Sequence, residues 1–146
     1  MKLPCPVTDK GDGTYDGNFE TDRAGPYLLH VAVGEEPVEG SPFKLTVAPS
    51  GVLEPAHYTA TGEGLSHAKA GETASFTVQA KDKYDNAVTV GGDKTLEGVL
   101  HHHDDKDATI KCSIHDNNNG TYNLSYKVTV LVFVLSTPVD NSFTTR

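Results

Sequence analysis

The chain has 146 residues, of which 36% are hydrophobic and 22% charged, and its formal net charge is -8. This length is enough for an ordinary domain with a real core, and the acidic balance argues against nucleic acid or an anionic membrane as the main partner. No stretch approaches the roughly 20 apolar residues of a membrane span, and the N-terminus lacks the long apolar core of a signal peptide.

Strand signals dominate the chain from its first third onward. Five segments place apolar side chains at alternate positions: residues 27–33, 43–47, 76–80, 110–114 and 122–128. A period of two, interrupted by turns rich in Gly, Asn, Asp and Pro, is typical of antiparallel strands with one buried face. Short strands at this spacing predict an all-β fold, and specifically a β-sandwich.

One turn phrase occurs twice. "DKGDGTY" covers residues 9–15, and "DNNNGTY" covers residues 116–122, 107 positions later. Asp, Asn and Gly tolerate the positive φ that a tight hairpin requires. Both phrases therefore predict hairpins, and we expect the tyrosine that ends each phrase, Tyr15 and Tyr122, to point inward.

Two cysteines, Cys5 and Cys112, occupy equivalent positions before the two phrases. An immunoglobulin-type disulfide joins different strands of one domain, so this placement predicts two unpaired, inward-facing thiols and a cytosolic setting. A bridging or reactive cysteine is the alternative. Glycosylation sequons at Asn119 and Asn123 favour an extracellular protein instead, but such tripeptides arise often by chance in Asn-rich turns.

The stretch between the two phrases contains a linker signal. "APSGVLEP", residues 48–55, has two prolines and no alternation, which predicts an inter-domain linker centred on residues 50–55. An offset of 107 residues is about one sandwich domain plus a linker. The chain is therefore expected to hold about one and a half repeats.

Longer segments then resemble a known family. "AGPYLLHVAVGEEPVEGSPFKLTVAP" (residues 24–49) and "GEGLSHAKAGETASFTVQAKDKYDN" (residues 62–86), followed by "VGGD", are similar to the signature segments of filamin-type immunoglobulin-like repeats, the rod family of filamins and actin-binding gelation factors. The resemblance implies an immunoglobulin-like β-sandwich in one partial and one nearly complete copy. Residues 1–49 would be strands D to G of one repeat, residues 50–55 the linker, and residues 56–146 a second repeat truncated in strand G.

The second copy departs from the family pattern in three places. About six residues of the loop before strand F are missing, together with its Gly-Pro-Tyr, and most of strand G is absent. Strand C has Thr95 where the family usually has a large apolar residue, and Gly98 in mid-strand weakens packing. A half-repeat exposes an apolar sheet face, so we expect either a piece of a longer protein or a swapped homodimer.

The resemblance also implies a function. Filamin-type repeats are structural modules of cytoplasmic, cytoskeletal rods that cross-link actin, and they dock extended peptides, such as cytoskeletal or membrane-receptor tails, by β-strand addition beside strand C. Actin would be reached only indirectly, through domains missing from this chain. Carried over by position, strand C is residues 94–100 and strand D residues 109–114. The groove residues would be Leu96, Gly98, Leu100, Ile110, Cys112 and Ile114. Alternatively, these residues only complete the core.

Other chemistry has weaker signals. "HHHDD", residues 101–105, could place His101 and His103 on one face as metal ligands, but a solvated loop is the simpler interpretation. No catalytic or nucleotide-binding motif is found, so we predict a non-enzyme without a cofactor. Two further hypotheses stay open: a stand-alone or extracellular adhesion module, and an interaction arm of a ubiquitin-ligase-like protein.

Overall fold

The computed structural model describes residues 2–129, and within this range the chain is all-β, which confirms the predicted fold class. Two 3-10 turns, Pro55–His57 and Glu63–Leu65, interrupt the strands. The strands are β1 (Val7–Asp9), β2 (Tyr15–Gly17), β3 (Gly25–Leu29), β4 (Ala32–Val33), β5 (Glu36–Pro37), β6 (Phe43–Val47), β7 (Thr59–Thr61), β8 (Thr73–Gln79), β9 (Val99–His101), β10 (Thr109–Lys111), β11 (Ser113–Asp116) and β12 (Thr121–Lys127).

The main sheet is formed by strands between residues 59 and 127. Four antiparallel strands follow the order β11-β12-β8-β7, and Leu124 on β12 pairs with Phe76 on β8 and with Ile114 on β11. Because the alternate residues of β8 and β12 share a face, this register brings their apolar side chains together. The buried cluster consists of Val78, Ala80, Val88, Tyr122 and Leu124.

Both copies of the turn phrase form hairpins, as predicted. β1 pairs with β2 and β11 pairs with β12, each antiparallel. The expected direction of the two tyrosines holds only in the second copy: Tyr122 is 2% exposed, whereas Tyr15 is 63% exposed. The prediction was wrong for Tyr15 because β1 and β2 form a two-stranded sheet, and no further strand among residues 2–129 pairs with it to cover the ring.

The predicted strand of residues 27–33 is broken. β3 pairs with β6, whereas Ala32 and Val33 belong to a separate small pair, β4 with β5. The break follows from the bonds of Val31, whose N–H donates to Ser41 Oγ (3.0 Å) and whose carbonyl accepts from Val38 N (3.0 Å). These bonds fasten Val31 to the following loop rather than to β6.

Strands C and D also differ from their predicted bounds. Strand C begins only at Val99, and strand D is divided at Cys112 into β10 and β11. β10 pairs with β9, and β11 pairs with β12, so the chain changes partner strand at Cys112. Residues 93–97, before Val99, therefore have no strand partner in the described part of the chain.

Several expectations concern other parts of the chain. Cys5 and Cys112 are both free thiols, as predicted. No helix among residues 2–129 has the length and apolar character needed to cross a membrane. β12 (Thr121–Lys127) covers the fifth predicted strand, residues 122–128, except for its last residue. The truncated strand G lies outside the described residues, and the domain boundaries stay a prediction.

Candidate functional site

The candidate groove lies where strand D leaves strand C. Two contacts tie the segments together: Cys112 N–H donates to Gly98 O (2.8 Å), and Gly92 N–H donates to Asp116 Oδ2 (2.8 Å). Between these ties, no backbone hydrogen bond among the described residues joins residues 93–97 to residues 113–115. We call this interval the C/D gap; its strand C side is a stretch of backbone that pairs with no strand among the described residues and is held at both ends.

The structure separates the six predicted groove residues into three groups. Leu100 and Ile110 are a directly opposed, half-buried pair in the β9–β10 ladder. Leu96 and Cys112 pack against the buried core. Ile114, on the edge strand β11, is 40% exposed. Of the six predicted residues, Ile114 is thus the one that offers substantial apolar surface beside the C/D gap.

Gly98 has a packing role in the structure. A Cβ at this position would lie 2.8 Å from Leu124 Cδ2 and 3.0 Å from both Cβ and Sγ of Cys112. The absence of a side chain therefore lets strand C approach the core closely. Burial also raises the pKa of the Cys112 thiol, which keeps it protonated and disfavours the reactive-cysteine alternative at this position.

Asp93 fixes the start of the C/D gap, a role that the sequence analysis missed. Its Oδ1 accepts bonds from Thr95 N (2.9 Å) and Thr95 Oγ1 (2.6 Å), and its Oδ2 accepts the hydroxyl of Tyr58 (2.8 Å). Its own N–H donates to Tyr122 Oη (2.9 Å). The signal available in the sequence is the Asp that ends the family-like "VGGD" segment, at the entrance to strand C.

The same network explains two pKa shifts. The Thr95 hydroxyl is the main cause that lowers the pKa of Asp93, against the opposing effect of burial. Burial and then the Asp93 carboxylate raise the pKa of Tyr58. At neutral pH the site therefore holds a carboxylate and a neutral phenol, a strong hydrogen-bonding pair. One side of the C/D gap is in this way anchored to the core.

The histidine-rich segment is a turn between β9 and β10. His102 N–H donates to Ala108 O (3.1 Å), and Asp104 N–H donates to His102 Nδ1 (3.1 Å). His103 and Asp104 form an exposed pair at 3.1 Å. No group of three or more metal-ligating side chains gathers within residues 2–129, so the geometry adds no support to a metal site here.

Comparison with known proteins places these features in a family. The sequence matches the family described as "Filamin/ABP280 repeat" over residues 1–44 and 52–133. It is 33% identical to Filamin-C of Rattus norvegicus over 127 residues and 31% identical to Filamin-A of Drosophila melanogaster over 121 residues. These alignments cover 86% and 83% of this chain.

A second group of relatives has a different name. The chain is 36% identical to the E3 ubiquitin-protein ligase TRIM45 of Bos taurus over 96 residues, which cover 62% of this chain and 16% of that protein. The chain spans only 4% of the rat Filamin-C and 5% of the fly Filamin-A. Because the family match covers most of the sequence, the chain belongs to the filamin repeat family.

Proposed function

We propose that this chain is a scaffold module of a filamin-like rod and that it docks extended peptides by β-strand addition in the C/D gap. The observation that carries the proposal is that residues 93–97, between the Cys112–Gly98 and Gly92–Asp116 bonds, pair with no strand in the described part of the chain. The N–H groups of Asp93 and Thr95 bond to the Tyr122 hydroxyl and the Asp93 carboxylate, so a peptide would use the remaining N–H and carbonyl groups of this segment. Unpaired strand backbone binds an extended peptide through main-chain hydrogen bonds. Five residues at about 3.3 Å each span roughly 16 Å, room for a short peptide strand.

Two features suit the C/D gap to this role. Its strand C side is anchored through Asp93 to Tyr58 and Tyr122, so little ordering is needed when a peptide binds. On its other side, Ile114 presents an apolar side chain that is 40% exposed to alternate residues of the peptide. The remaining predicted groove residues support the gap from inside the fold.

The test uses the exposed residue rather than the glycine. Gly98→Pro should abolish strand addition, but the contact with Leu124 means that it also disturbs the core. Ile114→Glu changes the groove, and Val99→Glu is the matched control, because Val99 is similarly exposed at 43% and lies outside the C/D gap. The probe is a panel of 12-residue peptides with alternating apolar residues, taken from cytoskeletal and receptor tails, titrated against the labelled chain by NMR.

We expect binding to shift the amides of residues 93–97 and 113–116 and to raise their protection from exchange. Ile114→Glu should weaken binding by about tenfold or more, because a charge would be placed at the buried apolar contact; Val99→Glu should leave it within about twofold. Shifts confined to the β7 edge, or equal loss in both variants, would overturn the C/D gap as the docking site.

The wider role follows from the family. We propose a cytoplasmic, cytoskeletal setting, with actin reached through other domains of a longer filamin-like protein. A homodimer is the alternative assembly, since residues 2–49 expose several apolar side chains, namely Val7, Tyr15, Leu28, Val33 and Phe43. Sedimentation of the intact chain distinguishes a monomer from a dimer.

The similarity to TRIM45 supports a second candidate, an interaction arm in a ubiquitin-ligase-like protein. In that case the repeat would dock peptides in the same way, but it would bring them to the ubiquitin-ligase region of the same protein rather than to an actin-binding rod. Mass spectrometry of the endogenous protein captured with an antibody to this repeat would identify the flanking sequence and so decide between the two.

A further inference from the structure

We propose that the turn of residues 81–86 is a clasp that holds the preceding half-repeat in a fixed orientation, so that the two units form one stiff segment. The partner it recognises is the loop of residues 21–24 together with the linker. This inference concerns the joint between the units, and it does not depend on peptide docking in the C/D gap.

Asn86 is the side chain that reaches across the joint. Its Nδ2 donates to Asp22 O (2.7 Å), and its Oδ1 accepts from Ala24 N (2.9 Å). One amide thus pairs with both an acceptor and a donor of the same backbone loop, which defines the orientation of the loop as well as its position. The residues joined are 62 and 64 positions apart in sequence.

Asp82 holds Asn86 in place and fastens the linker. Its Oδ1 accepts from Asn86 N (2.9 Å), and its Oδ2 accepts from Asn86 Nδ2 (3.0 Å) and from Ser50 N (2.7 Å). Asp82 is fully buried, and a buried carboxylate requires such partners. The second proton of the Asn86 amide is therefore directed at Asp82, which leaves the first free to bond Asp22.

The linker adds a short run of pairing to the clasp. Glu54 N–H donates to Lys81 O (3.0 Å), and Lys83 N–H donates to Val52 O (3.0 Å), with Leu53 opposite Asp82 in an antiparallel bridge. Flexible linkers do not form such a ladder. The predicted linker is thus a bound element of the second unit.

The loop on the other side of the joint is held rigid as well. Tyr27 Oη donates to Arg23 O (2.8 Å) and lies 3.1 Å from Thr21 Oγ1, the arrangement known in sandwich domains as a tyrosine corner. Arg23 lies between the two residues that Asn86 contacts. The turn of residues 81–86 and the loop of residues 21–24 are thus both held in place where the Asn86 amide joins them. This favours a fixed orientation of the two units, whereas domains in tandem usually move relative to one another.

The experiment measures the spread of orientations in the intact chain. Spin labels are introduced through an unnatural amino acid at Lys44 and Glu72, one in each unit, which leaves both cysteines native. We expect a narrow distance distribution in the wild type and about twofold broadening in Asn86→Ala, with about tenfold loss of exchange protection at the Ala24 amide. Asn117→Ala is the control: among residues 2–129 the side-chain hydrogen bonds of Asn117 stay within its own hairpin, so the substitution should leave the distribution narrow.

A second variant keeps the test valid if Asn86→Ala also disturbs the turn. Tyr27→Phe removes the hydroxyl that bonds to Arg23 and Thr21 in the first unit, so it should broaden the distribution with β8 and β12 still fully protected. A broad distribution in the wild type overturns the proposal. An unchanged width in both Asn86→Ala and Tyr27→Phe, with the main sheet intact, overturns it equally.

Discussion

The hairpin of β1 and β2 and the hairpin of β11 and β12 have the same turn in different surroundings. In the first, Lys10 N–H donates to Thr14 O (3.1 Å), and Gly11 and Gly13 have φ values of 76° and 90°. In the second, Asn117 N–H donates to Thr121 O (3.0 Å), and Asn118 and Gly120 have φ values of 60° and 87°. The two turns make equivalent hydrogen bonds, although the first connects a two-stranded sheet and the second connects two strands of a four-stranded sheet.

The difference begins one residue after the turn. Tyr15 is 63% exposed and Tyr122 is 2% exposed, although the same phrase delivers both. Local sequence therefore determines how the chain reverses, whereas burial depends on the strands that lie beside it. Substitutions made in pairs, one in each hairpin, separate these two contributions.

The largest difference is expected for alanine at the glycine that precedes Thr-Tyr in each turn, Gly13 in the first and Gly120 in the second. At Gly120 a Cβ would collide with the carbonyl of Val88, whereas at Gly13 no atom lies within 4 Å. Both substitutions carry the cost of positive φ, about 1–2 kcal/mol. Gly120→Ala adds a backbone clash and should cost more than about 4 kcal/mol, enough to abolish the cooperative transition in thermal unfolding. Equal effects of the two substitutions would show that the environments differ less than the structure indicates.

The next pair removes the tyrosine rings. Tyr122→Ala opens a cavity in the buried cluster and should lower the free energy of unfolding by about 3–5 kcal/mol. Tyr15→Ala removes an exposed ring and should change it by less than about 0.5 kcal/mol. Urea unfolding followed by circular dichroism measures both. A large loss in Tyr15→Ala would mean that the first unit buries this ring in solution, for example against a second copy of the chain.

These pairs also show how far sequence reasoning reaches in this chain. The hairpins and the alternating strands were predictable because both signals are local: turn residues with suitable φ, and apolar residues at every second position. The broken strand D was not, since nothing in "TIKCSIHD" marks Cys112 as the point where the chain changes partner strand. Asn86 was equally hidden, because its two partners in the first unit are more than 60 residues away and the surrounding residues have the composition of any turn.

The joint between the two regions gives an acid response. Burial alone would raise the pKa of Asp82, but the hydrogen bonds from Asn86, Ser50 and Tyr84 outweigh it and lower the pKa to about 2, from 3.8. Because the pKa of this carboxyl is lower in the folded than in the unfolded state, the ionised carboxylate stabilises the fold at pH values above the unfolded-state pKa. This contribution is lost as the pH falls from about 3.8 through about 2. Asp82→Asn should lower the Tm by about 5–10 °C at pH 7.

The same variant also tests the direction of the pH effect on stability. The Tm difference between the wild type and Asp82→Asn should shrink as the pH falls from 4 to 2, because Asp82 of the unfolded wild type takes up a proton near pH 3.8 and the folded carboxylate does so only near pH 2. A difference that stays constant over this range would show that the carboxylate's charge does not stabilise the joint.

The smallest effects are expected for the side chains that cap the two turns. Asp12 Oδ1 accepts from Thr14 N (3.0 Å) and Thr14 Oγ1 (2.6 Å), and Asn119 Oδ1 makes the same two bonds to Thr121 at the same lengths. Both caps are exposed, so Asp12→Ala and Asn119→Ala should each reduce the exchange protection of the following threonine amide by about tenfold. If the turn is a local structure, the two losses should agree in spite of the different sheets.

Only the protection that Asp12 gives to the Thr14 amide should depend on pH. The Thr14 hydroxyl lowers the pKa of Asp12, and protonation of this carboxylate weakens the cap, whereas the Asn119 amide does not titrate. A markedly larger loss of protection in Asn119→Ala would mean that the main sheet also contributes to the stability of its turn. Local sequence alone would then not determine the turn, even where the two copies are most alike.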